Sequence, residues 1–147
     1  MKDFVIGLAL CAVTATASAQ ELTSKEAATA AAIADSVSTY MVVATGGVEL
    51  NPLVGTSIGG LILLVGAKLG ALELIENSDQ TEKEKNDQKR TATAMWGGFS
   101  VSNLLFALSA ATPLAIIAGL AGGTYLWTST DPDDKKPVVS PVVALSD

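Results

Sequence analysis

Residues 53–75 read LVGTSIGGLILLVGAKLGALELI, an apolar run that contains one base, Lys68, and one acid near its end. As a helix this run is about 34 Å long, enough to cross the roughly 30 Å of hydrocarbon in a bilayer. A weaker apolar run over residues 27–48 carries Asp35, and the longest run covers residues 95–127. The sequence therefore predicts an all-α fold, an integral membrane bundle of about three transmembrane helices over these three runs.

The composition of the 147-residue chain excludes several functional classes. Hydrophobic residues make up 49% of it and aromatic residues only 5%, and the charges cluster in a few short segments, as in a membrane protein. The net charge is −6 and no basic patch is present, so we expect no nucleic-acid partner. The chain has no histidine and one cysteine, Cys11, so zinc sites, Ser-His-Asp triads and intrachain disulfides lack their residues. We therefore predict no catalytic residues, no metal and no cofactor.

Residues 1–19 have the pattern of a secretory signal peptide. A lysine at the second position precedes an apolar run over residues 4–13, and the small residues ASA end at Ala19 and form an A-x-A cleavage site before Gln20. The alternative is a short uncleaved anchor. Export predicts that residues 20–26 form a short polar lead and that the protein lies in the bacterial inner membrane.

Two polar segments flank the longest apolar run. Residues 76–92 carry alternating acids and bases (EKEK), which is typical of a solvated helix extension or a flexible loop. Residues 128–147 are acidic and rich in proline, and we expect a disordered tail. A cleaved signal peptide would leave the 76–92 loop outside the membrane and the tail inside. The four basic residues of the loop favour the opposite orientation by the positive-inside rule.

Glycines at helical spacing mark one face of the second predicted span and recur in the third. They are Gly55, Gly59, Gly66 and Gly70 in the second span and Gly119 and Gly123 in the third. Small residues three or four positions apart share a helix face and let a neighbouring helix approach closely in lipid. We expect these glycines to pack helices within the chain, with a homo-oligomer as the alternative.

The third predicted span carries two further signals. Trp96 lies near its start and Trp127 at its end, about 46 Å apart on a straight helix, which predicts an aromatic residue at each membrane face. Pro113 lies within the span, where we expect it to kink the helix and to free the carbonyl of Ser109.

Polar side chains of the three predicted spans fall at one depth. Asp35 and Thr39 are four residues apart and share a helix face. If neighbouring spans fold back as hairpins, Lys68 comes level with Asp35, and Asn103 comes level with Lys68. A lone charge in the membrane costs at least about 2.5–3.5 kcal/mol, so such residues face the bundle interior and pair. We therefore predict a polar intramembrane layer of these four residues, centred on an Asp35–Lys68 ion pair.

The polar layer also allows two functional interpretations. Buried ionisable groups in membranes often handle a proton, an ion or a small substrate, so transport is an alternative to a purely structural ion pair. A nucleophile–base dyad of Ser102 and Lys68 is conceivable from the same predicted levels.

The segment before the second span has the residues of a helix start. Asn51 is suited to the N-cap and Pro52 to the first helical position, and the carboxylate of Glu49 favours the positive end of the helix dipole. We therefore predict that these three residues form the turn and the cap of the second span.

This turn and the residues before it resemble a D-x-x-[ST]…G-x-x-E-x-N-P signature. The matching positions begin at Asp35 and Thr39, continue through Gly46-Gly47 and end at Pro52. The signature is that of a group of small prokaryotic membrane proteins of unknown function, and the similarity covers about residues 30–75. It implies a membrane helix bundle and no particular activity. The predicted signal peptide and the acidic tail depart from that group.

These patterns predict a small exported integral membrane protein, non-enzymatic, with a structural or accessory role and with the lipid bilayer as its partner. One alternative is a phage-type, holin-like pore former, which fits the small size, the charged tail and the glycine-rich faces. The other is a proton- or ion-coupled transport subunit that uses the polar layer.

Overall fold

The computed structural model describes residues 23–46, 57–108 and 112–130, which contain four α-helices and no β-strand. The helices are α1 (Ser24–Ala44), α2 (Ile58–Glu76), α3 (Glu82–Ala107) and α4 (Thr112–Ser129). The prediction of an all-helical chain is confirmed. The predicted signal peptide, the turn residues Glu49, Asn51 and Pro52, the glycine at Gly55 and the tail beyond Thr130 lie outside the described residues.

Two of the four helices, α1 and α2, are long and apolar enough to cross a membrane. About half of α1 is buried in the bundle, whereas most of α2 is exposed. Both helices lie close to the predicted spans, since α1 begins three residues before the predicted 27–48 and α2 begins five residues after the start of the predicted 53–75.

Local sequence explains where the first three helices begin. Thr23 and Glu26 form a capping box at the start of α1, and Thr81 and Glu84 form another at the start of α3. Ser57 caps α2 by accepting a hydrogen bond from a first-turn backbone N–H at 3.0 Å. These side chains satisfy backbone N–H groups that the first turn of a helix leaves without a partner.

Most of the charged segment 76–92 is helical, because α3 begins within it at the Thr81–Glu84 capping box. Only residues 77–81 connect α2 to α3. The Thr81 hydroxyl and N–H donate to the Glu84 carboxylate at 2.8 and 2.9 Å, and these hydrogen bonds lower the pKa of Glu84. Because the folded pKa is lowered, this capping contribution is present above the ordinary pKa of the carboxyl and is lost as the pH falls through the lowered one. Of the two predicted alternatives, a helix extension or a flexible loop, the structure has the helix extension.

The most extensive interface joins α1 and α3, which run parallel. Near their starts the Ser24 hydroxyl donates to Asn86 Oδ1 at 3.1 Å. Farther along both helices, Asn103 donates to Asp35 and to Thr39. Contacts that follow the same order along two helices show that the two helices run in the same direction.

The remaining two helices run antiparallel to their partners. Lys25 at the start of α1 pairs with Glu73 near the end of α2 at 3.1 Å. Arg90 near the start of α3 donates to the carbonyl of Trp127 near the end of α4 at 2.6 Å. One end of the bundle, which we call the charged end and define by these four residues, therefore collects the starts of α1 and α3 and the ends of α2 and α4.

The predicted third span, residues 95–127, is wrong as a single helix. The chain forms two antiparallel helices there, since α3 ends at Ala107 and α4 begins at Thr112. Pro113 lies in the first turn of α4, where its missing N–H removes no intrahelical hydrogen bond, rather than at a kink in a continuous helix. The bundle therefore has four helices where the sequence predicted three.

The reversal also changes the positions of the two tryptophans. The Lys68 ammonium lies 5.7 Å from the centre of the Trp96 ring, and the Arg90 guanidinium lies 4.5 Å from that of Trp127. Trp127 therefore lies at the charged end, and Trp96 lies only six residues along α3 from Arg90, near the middle of that helix. The predicted separation of about 46 Å, with one indole at each face, is wrong because the chain turns back between them.

The glycines divide into a packed set and an exposed set. A Cβ atom at Gly98 would lie 2.7 Å from the Gly119 carbonyl oxygen, and one at Gly123 would lie 2.7 Å from the Ala94 carbonyl oxygen. The backbones of α3 and α4 are therefore in direct contact, which is the use predicted for Gly119 and Gly123. Sequence reasoning missed Gly98, which supplies the other side of this contact.

Among the described residues, the α2 glycines do not pack against another helix. Apart from sequence neighbours and the backbone of α2 itself, no described atom lies within 4 Å of a Cβ added at Gly66 or Gly70, and at Gly59 the nearest is the hydroxyl of Ser57 at 3.8 Å. The predicted intrachain packing of these three residues is therefore not found among the described residues. The physical reason is that α1 and α3 contact the Lys68 side of α2, and the glycines lie on its exposed side.

Candidate polar site in the bundle interior

A buried ion pair joins α1 to α2. Lys68 donates through Nζ to Asp35 Oδ2, and the two side chains are only 9% and 8% exposed. The same ammonium lies 3.4 Å from Ser36 Oγ. Lys68 and Leu72 are the two buried residues of α2, so the ion pair lies on the side of α2 that faces the bundle. A charge-assisted hydrogen bond of this kind is stronger than one between neutral groups.

A third helix completes the polar site through one amide. Asn103 on α3 has Nδ2 within hydrogen-bond distance of Asp35 Oδ1 at 3.2 Å, Thr39 Oγ1 at 3.1 Å and Ser38 Oγ at 3.3 Å, so its two hydrogens are shared among three acceptors. An ionised carboxylate only accepts, so the orientation of this amide is set by Asp35. The structure thus brings together Asp35, Thr39, Lys68 and Asn103, the four residues predicted to share one depth.

Three residues of the polar site were not predicted. Ser36 and Ser38 flank the acid on α1 and are buried, and Trp96 on α3 offers its ring to the Lys68 ammonium. Ser38, three residues after Asp35, occupies the last position of the D-x-x-[ST] pattern, so the match to Thr39 was one residue off and Ser38 was a usable signal. Trp96 gave none, because its interfacial role was inferred from a helix that the chain does not form.

A second polar cluster lies at the charged end. Lys89 is 3% exposed in its side chain and pairs with Glu76 at 3.1 Å, while Lys25 pairs with Glu73. Asn86 is also buried, against Ser24. Sequence reasoning missed this cluster because the segment that carries Lys89 was interpreted as solvated, either as a helix extension or as a flexible loop.

The predicted Ser102–Lys68 dyad does not form. The Ser102 hydroxyl donates to the Ala115 carbonyl on α4 at 2.9 Å, while the Lys68 ammonium is held by Asp35 and Ser36 on α1. The two groups are directed to different helices, so no base is next to the hydroxyl. Within residues 23–46, 57–108 and 112–130, no group of three or more carboxylate or thiol side chains is placed to hold a metal ion.

A groove of about 690 Å³ lies between α3 and α4 and begins at the polar site. Asn103 and Ser102 line it, and its walls are mainly apolar, with Phe99, Phe106, Leu120 and Trp127 among them. A volume of this size with few polar groups is typical of a site for an apolar small molecule. Asn103 is therefore the residue that connects the buried ion pair to a surface cavity.

Comparisons with known proteins add no relative. No family model matches the chain, and no curated protein or solved structure matches it.

Proposed function

We propose that the protein is a small integral membrane protein whose four helices are embedded together in the bacterial inner membrane, with a structural or accessory role and no catalytic one. The observation that supports this proposal is the polarity of the bundle. The described residues bury Asp35, Lys68, Asn86 and Lys89, and their buried apolar residues are mostly alanines. In contrast, 15 large apolar or aromatic side chains are exposed, among them Leu74 at 76%. Such an exterior is unfavourable in water and favourable in lipid.

Helix lengths are consistent with this proposal. The 18 residues of α4 span about 27 Å, close to the hydrocarbon thickness of a bilayer. The 26 residues of α3 span about 39 Å, so α3 extends beyond α4. The first turns of α3 carry its charged residues and lie at the charged end. We infer that these first turns, which precede Arg90 and extend beyond the end of α4, lie at the water interface.

The polar site fits a structural role best. Without strong hydrophobic association between helices in lipid, polar contacts supply register and specificity. One acid, one base and one amide here connect three helices at one level, and each charge has its partner beside it. In this interpretation the site fixes how α1, α2 and α3 pack, and the Asp35–Lys68 ion pair stays closed and transfers no proton or ion.

A pore former and a transport subunit remain the alternative functions. The transport alternative has one observation in its favour, the link from Asp35 through Asn103 to the groove. The pore alternative has in its favour the exposed glycine face of α2, which could associate with other copies. Induction of the chain in bacteria separates the proposals, because abrupt loss of membrane potential favours the pore and steady growth favours the structural role.

Membrane embedding predicts that an added lysine lowers membrane insertion when it lies on the apolar surface of α2 and has no effect when it lies in the 77–81 connection. Ile62 on α2 is 67% exposed, and Ile62→Lys would place a charge in hydrocarbon, where a lysine costs up to about 2.5–3.5 kcal/mol, the value at a helix centre. Asp79→Lys changes an exposed residue in the 77–81 connection. We expect the wild-type chain to stay in membranes during alkaline carbonate washing and to dissolve in detergent. Ile62→Lys should lower the membrane-inserted fraction severalfold, and Asp79→Lys should not.

Recovery of the wild-type chain in the carbonate supernatant would contradict membrane embedding. A soluble, well-behaved Ile62→Lys variant with unchanged helix content would contradict it as well, because a water-exposed position tolerates lysine.

The four-helix arrangement predicts that the 77–81 connection and the end of α4 face the same side of the membrane. We expect Asp79→Cys and Thr128→Cys, in a Cys11→Ser background, to react together with a membrane-impermeant thiol reagent added to one side. Thr45→Cys, at the opposite end of α1, should react only from the other side. Labelling of Asp79→Cys and Thr128→Cys from opposite sides would restore the three-span topology.

A further inference from the structure

We propose that the groove between α3 and α4 binds a long-chain amphiphile whose neutral head donates a hydrogen bond to Asn103 Oδ1, as a fatty alcohol or a monoacylglycerol would. This inference rests on the membrane placement proposed above and goes beyond the structural role. It concerns a ligand that enters from the lipid, for which no residue of the ion pair has to move.

The acceptor is defined by the other contacts of Asn103. Its Nδ2 donates to Asp35, Thr39 and Ser38, which orients Oδ1 away from them. Within the described part of the chain no residue donates a hydrogen bond to Oδ1, and Arg90 Nε is the only fully buried side-chain nitrogen or oxygen without a partner. Oδ1 is therefore not fully buried, and we infer that it faces the groove that Asn103 lines, where it can accept.

The chemistry of the site selects a neutral donor. A carbonyl oxygen in an apolar setting loses a hydrogen bond when its lone pairs meet only hydrocarbon. A carboxylate head would place a second acceptor against Oδ1 and a negative charge near Asp35. A hydroxyl group satisfies the acceptor without adding charge.

The shape of the groove selects a long tail. Along α3 its lining runs from Thr91 to Phe106, which is about 22 Å on the helix axis. Asn103 lies five residues before the end cap Leu108, so a head bound there is about 7.5 Å from the end of α3, close to one membrane face. From Asn103 the apolar walls continue towards Trp127 at the charged end. A tail in the groove therefore brings its terminus close to this indole.

The position of Trp127 provides the readout. In a Trp96→Phe background Trp127 is the remaining tryptophan of the chain. We would reconstitute this protein in lipid nanodiscs and titrate a fatty alcohol that carries bromine at the end of its tail, a quencher of indole fluorescence. The matched probe is the methyl ether of the same brominated chain, which cannot donate a hydrogen bond.

The expected result is saturable quenching by the alcohol and binding of the ether about tenfold more weakly, the cost of one unmade hydrogen bond. Thr124→Phe, which fills the groove near Trp127, should abolish saturable quenching. Ala71→Phe, the same type of change on the exposed surface of α2, should leave it unchanged.

Equal quenching by alcohol and ether would overturn the proposal, because any lipid tail would then fill the groove. Unchanged quenching in Thr124→Phe would overturn it too. These outcomes are distinct from failure of membrane placement, which the carbonate wash detects independently of any ligand.

Discussion

Asp35→Ala is expected to destabilise the folded protein by about 3–5 kcal/mol, because it leaves the Lys68 ammonium buried without its counter-charge. Lys68→Ala should have a similar effect by leaving the Asp35 carboxylate without its base. Both side chains are less than 10% exposed, so water cannot replace the missing partner without opening the bundle. Thermal unfolding in mild detergent and the yield of protein extracted from membranes both measure the loss.

Two double variants separate a pairing requirement from a requirement for each residue. Asp35→Lys with Lys68→Asp restores opposite charges at the same positions and should recover part of the stability. Asp35→Leu with Lys68→Met removes both charges, and apolar replacements of buried ion pairs are often neutral or stabilising. If both single variants are tolerated as well as the wild type, the pairing is not needed for stability. If Asp35→Leu with Lys68→Met folds but a transport activity of the wild type is lost, the site has a functional role beyond packing.

Gly98→Ala is expected to destabilise the α3–α4 pair, although it adds a single methyl group. That methyl carbon would lie 2.7 Å from the Gly119 carbonyl oxygen, so the two backbones must separate. Overpacking of this kind costs about 1–3 kcal/mol. Gly123→Ala should act in the same way against the Ala94 carbonyl. The measurement is the shift of the thermal unfolding midpoint in detergent.

Gly66→Ala is the matched control for this prediction. It is the same substitution in a helix of the same bundle, and no described atom outside its own stretch of α2 lies within 4 Å of the new methyl group. Since alanine favours a helix over glycine by up to about 1 kcal/mol, the control should be neutral or slightly stabilising. Equal destabilisation by the two variants would contradict the close α3–α4 contact. Loss of a cross-linked oligomer in Gly66→Ala alone would indicate that the exposed face of α2 joins copies of the chain.

Much of the helical architecture could be predicted because its causes are local. The apolar runs around Asp35 and Lys68 and the capping residues Thr23 and Thr81 each act within a few residues of the helix that they define. The common level of Asp35, Lys68 and Asn103 could also be predicted from the sequence. A buried charge needs a partner, and few residues of opposite sign lie in the apolar runs.

The split of the third span was the main error. Residues 95–127 contain no charge and only one proline, and hydropathy alone does not distinguish one long helix from two short ones. The signal for two helices was present but non-local. Gly98 faces Gly119 and Gly123 only if the chain reverses between them, and the reversal is favourable because the two backbones then come into contact.

The amino-acid sequence by itself determined that the chain is helical, that it carries apolar runs long enough to cross a membrane, and that one acid and one base must neutralise each other. The reason is that backbone hydrogen bonding, helix capping and the cost of an isolated charge are set by neighbouring residues and by the surrounding medium. Only the tertiary structure decided that the described residues form four helices, which glycines are packed, and that Asn103 connects the ion pair to a groove. Those features depend on distances between helices, and these distances are set by contacts between segments that are far apart in the sequence.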